Sequence, residues 1–155
     1  APSRGLGDVY KRQEQEAISE KSIKDLKILL VEDNELNMEI AEFVIQNEGA
    51  SVTKAWNGQE AVEIFKKSRP DEFDVILMDI MMPIKNGYEA AKMIRALDRD
   101  DAKTVPIIAM TANAFTEDRL KSKESGMNEH IAKPIDAKLL VKVISEFVEN
   151  KEEDS

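Results

Sequence analysis

Cysteine is absent from this chain of 155 residues. Without thiols the protein has no disulfide framework, no cysteine-based zinc site and no catalytic cysteine. Basic residues are fewer than acidic ones: the chain has 22 Lys and Arg residues and 31 Asp and Glu residues, which give a formal net charge of -9. Since general nucleic-acid binding and anionic-membrane binding both need basic patches, we expect no nucleic-acid partner and no direct membrane contact.

Long apolar runs are absent too. No stretch approaches the roughly 20 apolar residues that a membrane helix needs, and no signal-peptide pattern opens the chain, so we expect a cytoplasmic protein. Hydrophobic residues nevertheless make up 42% of the sequence. At a length that suits one domain, this content is enough to build a sizeable core.

The two ends of the chain differ from its middle. Residues 1–25 are polar and aperiodic, and we interpret them as a non-native or linker segment without fixed structure. Within this segment, Asp8–Gln13 resembles a translated sequencing adapter, so our hypothesis is that residues 1–13 are a cloning artefact. An in-frame codon run at the native genomic locus would contradict it. We place one domain at 26–148 and a frayed tail at 149–155.

Between these ends, apolar strands alternate with amphipathic helices in five βα units. The predicted strands lie at 27–31, 51–55, 75–78, 106–110 and 130–132. Such alternation implies an α/β fold with a parallel sheet that is covered on both faces. The flavodoxin-like doubly wound order 2-1-3-4-5 is the natural candidate, although composition alone does not separate it from other doubly wound orders.

The helices between these strands have recognisable starts and apolar residues. The predicted caps are Asn34, Thr116 and Asp136. The first helix carries apolar residues at Leu36, Ile40, Phe43 and Val44. The segment Asp98–Asp101 has the composition of a solvated charged loop.

Polar residues stand where the predicted strands end. The first strand runs into Glu32 and Asp33, the third into Asp79, the fourth into Thr111 and the fifth into Lys133. Because the carboxyl ends of parallel strands share one edge of a sheet, these side chains should meet there. The sequence therefore predicts a cleft with three carboxylates, one hydroxyl and one ammonium group.

Three acids in one cleft repel each other, and a divalent cation would resolve that conflict. Oxygen ligands favour Mg²⁺, which often bridges carboxylates to a phosphate. Lys133 could hold an incoming anion, and Thr111 could donate a hydrogen bond to it. This combination predicts phosphoryl transfer onto Asp79 to give an aspartyl-phosphate.

Four segments resemble the signature of the receiver domain of two-component signalling, namely Leu30–Asn34, Leu77–Pro83, Met110–Ala112 and Lys133–Pro134. The resemblance covers about residues 25–148. Any one of these motifs is weak evidence, but four in this order, each at a strand end, are strong evidence.

The resemblance implies a role for each acid of the cleft. Asp79 would be the phosphoacceptor. Glu32 and Asp33 would hold Mg²⁺ together with Asp79, with Mn²⁺ as the alternative ion. Met81 would add its backbone carbonyl as a metal ligand.

The resemblance also assigns the remaining residues of the cleft. Thr111 would bind a phosphoryl oxygen and shift on phosphorylation, and Lys133 would pair with the phosphate. The peptide bond from Lys133 to Pro134 is expected to be cis, and Gly87 would free the chain to turn into the third helix. His130 occupies the position where the family usually has a switch aromatic, so we expect it to act with Thr111 as a switch.

The segments Val31–Asn34 and Gly126–His130 are most similar to the receivers of hybrid sensor kinases. The implied partner is a histidine kinase or a histidine phosphotransfer protein. The implied function is to accept a phosphoryl group from phosphohistidine and to relay it by a conformational switch. In a longer hybrid kinase the domain would be tethered to a membrane sensor. A standalone regulator, an excised hybrid-kinase receiver and a homodimer through the fourth helix, fifth strand and fifth helix all stay open.

Such a domain catalyses its own phosphorylation and slow dephosphorylation, so it is not a conventional enzyme. Two other functions compete with this interpretation. A phosphatase with an aspartate nucleophile typically needs a second Asp two residues further on, where this chain has Met81. A receiver-like module that never accepts phosphate would be expected to lack Asp79, Lys133 or the acid pair, and all of them are present.

Overall fold

The computed structural model describes residues 22–82, 84–112 and 119–153, with side chains up to residue 148. The strands are β1 (Lys27–Val31), β2 (Ser51–Ala55), β3 (Val75–Asp79), β4 (Ile107–Thr111) and β5 (Glu129–Ala132). All neighbouring pairs are parallel, and the order is β2-β1-β3-β4-β5. The predicted α/β fold and its flavodoxin-like strand order are therefore confirmed.

The helices of the described residues are α1 (Glu35–Asn47), α2 (Gly58–Lys67), α3 (Gly87–Arg95), α4 (Asp100–Thr104), α5 (Arg119–Glu124) and α6 (Ala137–Glu153). Because α4 was not predicted, the expected fourth and fifth helices are α5 and α6. The predicted cap Thr116, Pro83 and residues 1–13 lie outside the described residues. Within the part of the chain described, no helix is long and apolar enough to cross a membrane.

Short polar side chains fix the starts of the helices beside the strand ends. The side chains of Asn34, Asn57 and Asn86 accept hydrogen bonds from backbone N–H groups three residues on, at 2.9, 2.8 and 2.9 Å. Asp136 does the same for α6 at 3.2 Å. These caps satisfy backbone donors that a helix leaves unpaired. They therefore hold the loops at one edge of the sheet.

Alternate residues of the central strands enter two separate cores. Leu29 and Val31 belong to the core under α2 and α3, whereas Ile28 and Leu30 belong to the core under α1 and α6. This split follows from the two-residue period of a strand. Because both faces are covered, β1, β3 and β4 read as almost continuous apolar runs.

Helix α1 packs against the sheet through one face and leaves three large apolar residues exposed on another. Its buried residues are Met38, Ala41 and Ile45. By contrast, Leu36, Ile40 and Phe43 are 63%, 41% and 70% exposed. The helix is therefore apolar on a second face that no described residue covers.

The boundaries of the folded unit also differ from those expected. Ile23, assigned above to the linker, is completely buried in the core under α1 and α6. Its carbonyl accepts a hydrogen bond from the N–H of Leu26 at 3.1 Å, which closes a turn directly before β1. Helix α6 continues to Glu153, beyond residue 148.

The expectation of a solvated loop at Asp98–Asp101 is wrong, because part of it forms α4 and buries an ion pair. The guanidinium of Arg99 donates to both carboxylate oxygens of Asp101 at 2.9 and 2.7 Å. It also donates to the backbone carbonyls of Phe65 and Ser68 at 2.7 and 2.9 Å. These bonds join α4 to the end of α2, and the hydrogen bonds from Arg99 hold the pKa of Asp101 below its usual value.

Replacing Arg99 by alanine should lower the free energy of unfolding by about 2–4 kcal/mol, because the Asp101 carboxylate then stays buried without its partner. Urea unfolding at pH 7 measures this loss. The matched control is Arg69→Ala, which removes an exposed guanidinium and should change the free energy by less than about 0.5 kcal/mol. Equal losses in the two variants would contradict the role of Arg99.

The contribution of the Arg99–Asp101 pair to the free energy of unfolding should depend on pH. Since the folded protein lowers the pKa of Asp101, the pair stabilises the fold above the unfolded pKa of about 3.9. That contribution is lost as the pH falls through the lowered pKa. The difference in stability between the wild type and Arg99→Ala should therefore shrink below about pH 4.

Candidate functional site

The three acids predicted at the strand ends lie together. Asp79 is the last residue of β3, and Glu32 directly follows β1; each is only 2% exposed. Asp33 is exposed at the rim. One carboxylate oxygen from each of the three lies within 4.8 Å of the other two. The strand order explains this cluster, because β1 and β3 are neighbours in the sheet.

Lys133 reaches into the cluster from the end of β5. Its Nζ lies 2.8 Å from Oε2 of Glu32 and 2.9 Å from Oδ2 of Asp79. The other oxygens of these acids accept backbone N–H groups, from Asn34 at 3.2 Å and from Met81 at 3.2 Å. Both buried carboxylates are thus oriented by the shared ammonium of Lys133 and by one backbone amide each.

Thr111 and Lys133 are joined by backbone. The N–H of Lys133 donates to the carbonyl of Thr111 at 2.8 Å, directly after the pairing of Ala132 with Thr111. Thr111 is 2% exposed, and the peptide bond from Lys133 to Pro134 is cis. The backbone hydrogen bonds between β4 and β5 therefore hold Thr111 and Lys133 close together.

Gly87 is required here for a reason that differs from the one expected. Its φ is not in the left-handed region, so the turn does not need glycine. A Cβ at this position would lie 2.5 Å from the carbonyl oxygen of Asp79 and 2.9 Å from Cα of Ile80. Glycine therefore lets the start of α3 lie directly against the end of β3.

The electrostatics of the cluster favour an added cation. Burial raises the pKa of Asp79 to about 6, the hydrogen bond from Lys133 opposes this rise, and the charge of Glu32 adds to it. Burial alone would lower the pKa of Lys133, but its hydrogen bonds to Glu32 and Asp79 outweigh this and leave it raised. Carboxylates outnumber the ammonium group three to one. An all-oxygen cluster with excess negative charge suits a hard divalent cation.

Two other predicted residues, Met81 and His130, lie outside the cluster of carboxylates. Met81 is beside Asp79, with its side chain 75% exposed. His130 is in the middle of β5, and its Nε2 shares a hydrogen bond of 2.6 Å with Oγ of Ser122 on α5. Sequence reasoning missed Ser122, because no local pattern links a helical serine to a strand histidine. It also missed the exposed apolar face of α1, because Leu36, Ile40 and Phe43 have the same helical spacing as the apolar residues that are buried.

Replacing Asp79 by asparagine should raise the free energy of unfolding by about 1–2 kcal/mol at pH 8, measured by urea unfolding in a metal chelator. The raised pKa means that the folded protein binds the proton more tightly than the unfolded chain, so an ionised Asp79 costs stability. That cost is complete above the folded pKa of about 6 and absent below the ordinary value of 3.8. The gain should therefore be smaller at pH 5.

The matched control for this experiment is Asp98→Asn, which removes an exposed acid. It should leave stability within about 0.5 kcal/mol of the wild type at both pH values. A lower stability of Asp79→Asn at pH 8 would contradict the assigned electrostatics.

Comparison with known proteins identifies the family and solved structures of the same fold. The response regulator receiver domain family matches residues 28–145. The receiver domain of sensor histidine kinase PA1611 from Pseudomonas aeruginosa, solved with a magnesium ion coordinated in its active site cleft, superposes with a TM-score of 0.71 at 37% identity. That superposition covers 80% of this chain and 98% of that one.

Two relatives show the contexts in which similar sequences occur. Hybrid signal transduction histidine kinase I of Dictyostelium discoideum is 38% identical over 77% of this chain and 7% of its own length. The polar-differentiation response regulator DivK of Brucella anthropi is 34% identical over 78% of this chain and 94% of its own length. The chain thus spans only a small part of the histidine kinases that it matches, 13% or less of the first three. With the family match extending from β1 into α6, the chain belongs to the response regulator receiver domain family.

Proposed function

We propose that Asp79 accepts a phosphoryl group from a phosphohistidine donor and that the aspartyl-phosphate switches the conformation of the domain. The observation that carries this proposal is the ammonium of Lys133, held 2.9 Å from Oδ2 of Asp79 within a cluster of three carboxylates. A buried acid with an adjacent cation has both a nucleophile and a charge that can receive a phosphate.

Glu32, Asp33 and Asp79 would hold Mg²⁺, or Mn²⁺ in its place, with the backbone carbonyl of Met81 as a further ligand. When bound, the ion would neutralise the negative charge of the acids and of the incoming phosphoryl group. The donor set fits such an ion, because it consists of carboxylate oxygens within 4.8 Å of one another. No histidine or cysteine competes in the cluster, so a softer metal is disfavoured.

In the proposed reaction a carboxylate oxygen of Asp79 attacks the phosphorus of the phosphohistidine. The new O–P bond forms as the P–N bond breaks, and the electron pair of that bond returns to the imidazole nitrogen of the donor. Lys133 moves from Oδ2 of Asp79 to a phosphoryl oxygen, and the Thr111 hydroxyl donates to another. The protein's contribution is positioning and charge stabilisation, as is usual in phosphoryl transfer.

Receiver domains of hybrid kinases and response regulators interact with histidine kinases or with phosphotransfer proteins, so the partner of this domain is one of these two. Because the phosphohistidine of such a partner derives from ATP, the proposal places the domain in the cytoplasm. It would act there as a separate chain or tethered to a membrane sensor kinase.

Incubation with acetyl phosphate and Mg²⁺ should give one hydroxylamine-labile phosphate per chain, detected by intact mass. Asp79→Asn should abolish the label, because the nucleophile is gone, and chelation of Mg²⁺ should suppress it. The matched control Asp98→Asn alters an exposed acid and should label like the wild type. A label that persists in Asp79→Asn would refute the site assignment. Absence of any label in the wild type would favour a module that never accepts phosphate.

The donor would dock on the exposed face of α1. Leu36, Ile40 and Phe43 recur at helical spacing on this face, and Ile40 also lines a groove that Lys133 lines. The apolar face is thus continuous with the site that must receive the phosphoryl group. Helix α1 carries Glu35, Glu39 and Glu42 and no basic residue, and of these acids Glu42 pairs with Lys54 on β2 at 3.4 Å. The occupant that fits is a donor helix with an apolar stripe flanked by Lys or Arg.

Phe43→Ser should slow phosphoryl transfer from a phosphohistidine donor protein at least about tenfold, because apolar anchors dominate such interfaces. Labelling by acetyl phosphate, which needs no docking, should be unchanged. The matched control is Leu120→Ser on α5, because Leu120 is 65% exposed and Phe43 is 70% exposed. Equal slowing by the two variants would argue against α1 as the docking face.

The homodimer through α5, β5 and α6 also stays a proposal. Its support is the family resemblance and the exposed Leu120 on α5. The Leu120→Ser variant tests it as well. Sedimentation equilibrium of the phosphorylated protein should show less dimer in this variant than in the wild type, and an all-monomer wild type would contradict the proposal.

A further inference from the structure

Helices α1, α2 and α3 begin with an asparagine that makes the same cap. Oδ1 of Asn34, Asn57 and Asn86 accepts the backbone N–H of the third helical residue at 2.9, 2.8 and 2.9 Å. In α2 and α3 this third residue is a glutamate, and the carboxylates of Glu60 and Glu89 accept the side-chain amide of the cap at 3.3 and 3.2 Å. These two caps are therefore closed within their own helices.

The cap of α1 is connected in another way. Its third helical residue is Asn37, which has no carboxylate to offer. The cap residue bonds instead to an acid that precedes the helix, because the backbone N–H of Asn34 donates to Oε1 of Glu32 at 3.2 Å. The carbonyl of Asn34 accepts the N–H of Met38 at 2.8 Å. Asn34 thus joins the first turn of α1 to a carboxylate of the cluster.

The carboxylate of Glu32 is held from two sides. Glu32 is 2% exposed, and its Oε2 lies 2.8 Å from Nζ of Lys133. Its own backbone N–H donates to the carbonyl of Ala55 at 3.1 Å, so the main chain of Glu32 is fixed by β2. A buried carboxylate oxygen that loses a donor is costly. The N–H of Asn34 therefore helps to set the direction in which Oε1 points.

The direction of this N–H depends on the cap. Asn34 has a φ of -91° and a ψ of 124°, the extended conformation that lets an N-cap side chain reach the third helical N–H. Asn34 and Asn37 are both exposed, so water can replace Oδ1 when the side chain is removed. The backbone at position 34 would then be free to turn its N–H away from Glu32.

We propose that Asn34 is a positioning residue of the metal site: its side-chain cap fixes its backbone N–H, and this N–H holds Oε1 of Glu32 in place for Mg²⁺. The second half rests on the proposed function, in which Glu32, Asp33 and Asp79 hold the ion, whereas the first half does not. Loss of a group that orients a metal ligand typically weakens metal binding by roughly 10–100-fold. We expect the lower end of this range, because the N–H itself survives a change of side chain.

Hydrogen exchange of the backbone amide at position 34, measured by NMR in a metal chelator, tests the first half. After correction for intrinsic rates, Asn34→Ala should speed this exchange about tenfold, as expected for loss of one charge-assisted hydrogen bond. Asn34→Ser should stay within about twofold of the wild type, because serine caps a helix as well as asparagine does. Unchanged exchange in Asn34→Ala, or no rescue in Asn34→Ser, would overturn the proposal.

Titration with Mg²⁺ tests the second half. The reporter is the fluorescence of Trp56, the single tryptophan, which directly follows the residue whose carbonyl accepts the Glu32 N–H. The dissociation constant for Mg²⁺ should rise about tenfold in Asn34→Ala and less than about twofold in Asn34→Ser. Saturating Mg²⁺ should restore the rate of labelling of Asn34→Ala by acetyl phosphate. A rate that stays low at saturating Mg²⁺ would contradict a role through the metal ligand.

The matched control is Asn86→Ala, which removes a cap of the same length from α3. The urea midpoint should fall as much as in Asn34→Ala, but the dissociation constant for Mg²⁺ and exchange at position 34 should change less than about twofold. Equal loss of Mg²⁺ affinity in the two variants would overturn the proposal. If the wild type binds no Mg²⁺, the proposed ligand set fails, and exchange at position 34 still decides whether Asn34 holds Glu32.

Discussion

One ammonium group shared between two buried carboxylates is the constraint on which the site depends. Nζ of Lys133 contacts Glu32 and Asp79 at 2.8 and 2.9 Å, and both acids are 2% exposed. Without this cation the two acids would repel each other in a poorly solvated place, and at least one would be driven to hold a proton. Even with it, burial raises the pKa of Asp79 to about 6. An added cation or phosphoryl group would therefore strongly change the charge balance among these three side chains.

The rest of the fold brings these three side chains together from residues far apart in sequence. Two apolar cores fix the strands, and the strand order makes β1 and β3 neighbours. Gly87 lets α3 lie against the end of β3, and asparagine caps hold the loops at the same edge. These contacts fix the position of the proposed nucleophile, which agrees with the small tolerance for displacement in phosphoryl transfer.

The surfaces around the site differ in how their helices pack. Over the described residues 119–124 of α5, the buried side chain is Ser122, whose Oγ lies 2.6 Å from Nε2 of His130 in β5. The exposed apolar face of α1 would receive the donor, and Ile40 on this face lines the same groove as Lys133. The proposed donor would thus approach the charge cluster from the side of α1.

The sequence by itself determined the five βα units and the residues that end the strands, because apolar periodicity and strand-exit acids are local patterns. It did not determine which face of α1 is buried, since Leu36, Ile40 and Phe43 are as apolar as the residues that pack. It also failed for Asp98–Asp101, where an ion pair with long-range backbone contacts replaces solvent. Likewise, the partner of His130 emerged only when β5 and α5 were placed side by side. Tertiary structure decided these points because contacts between distant residues set burial and charge pairing, and no local pattern encodes them.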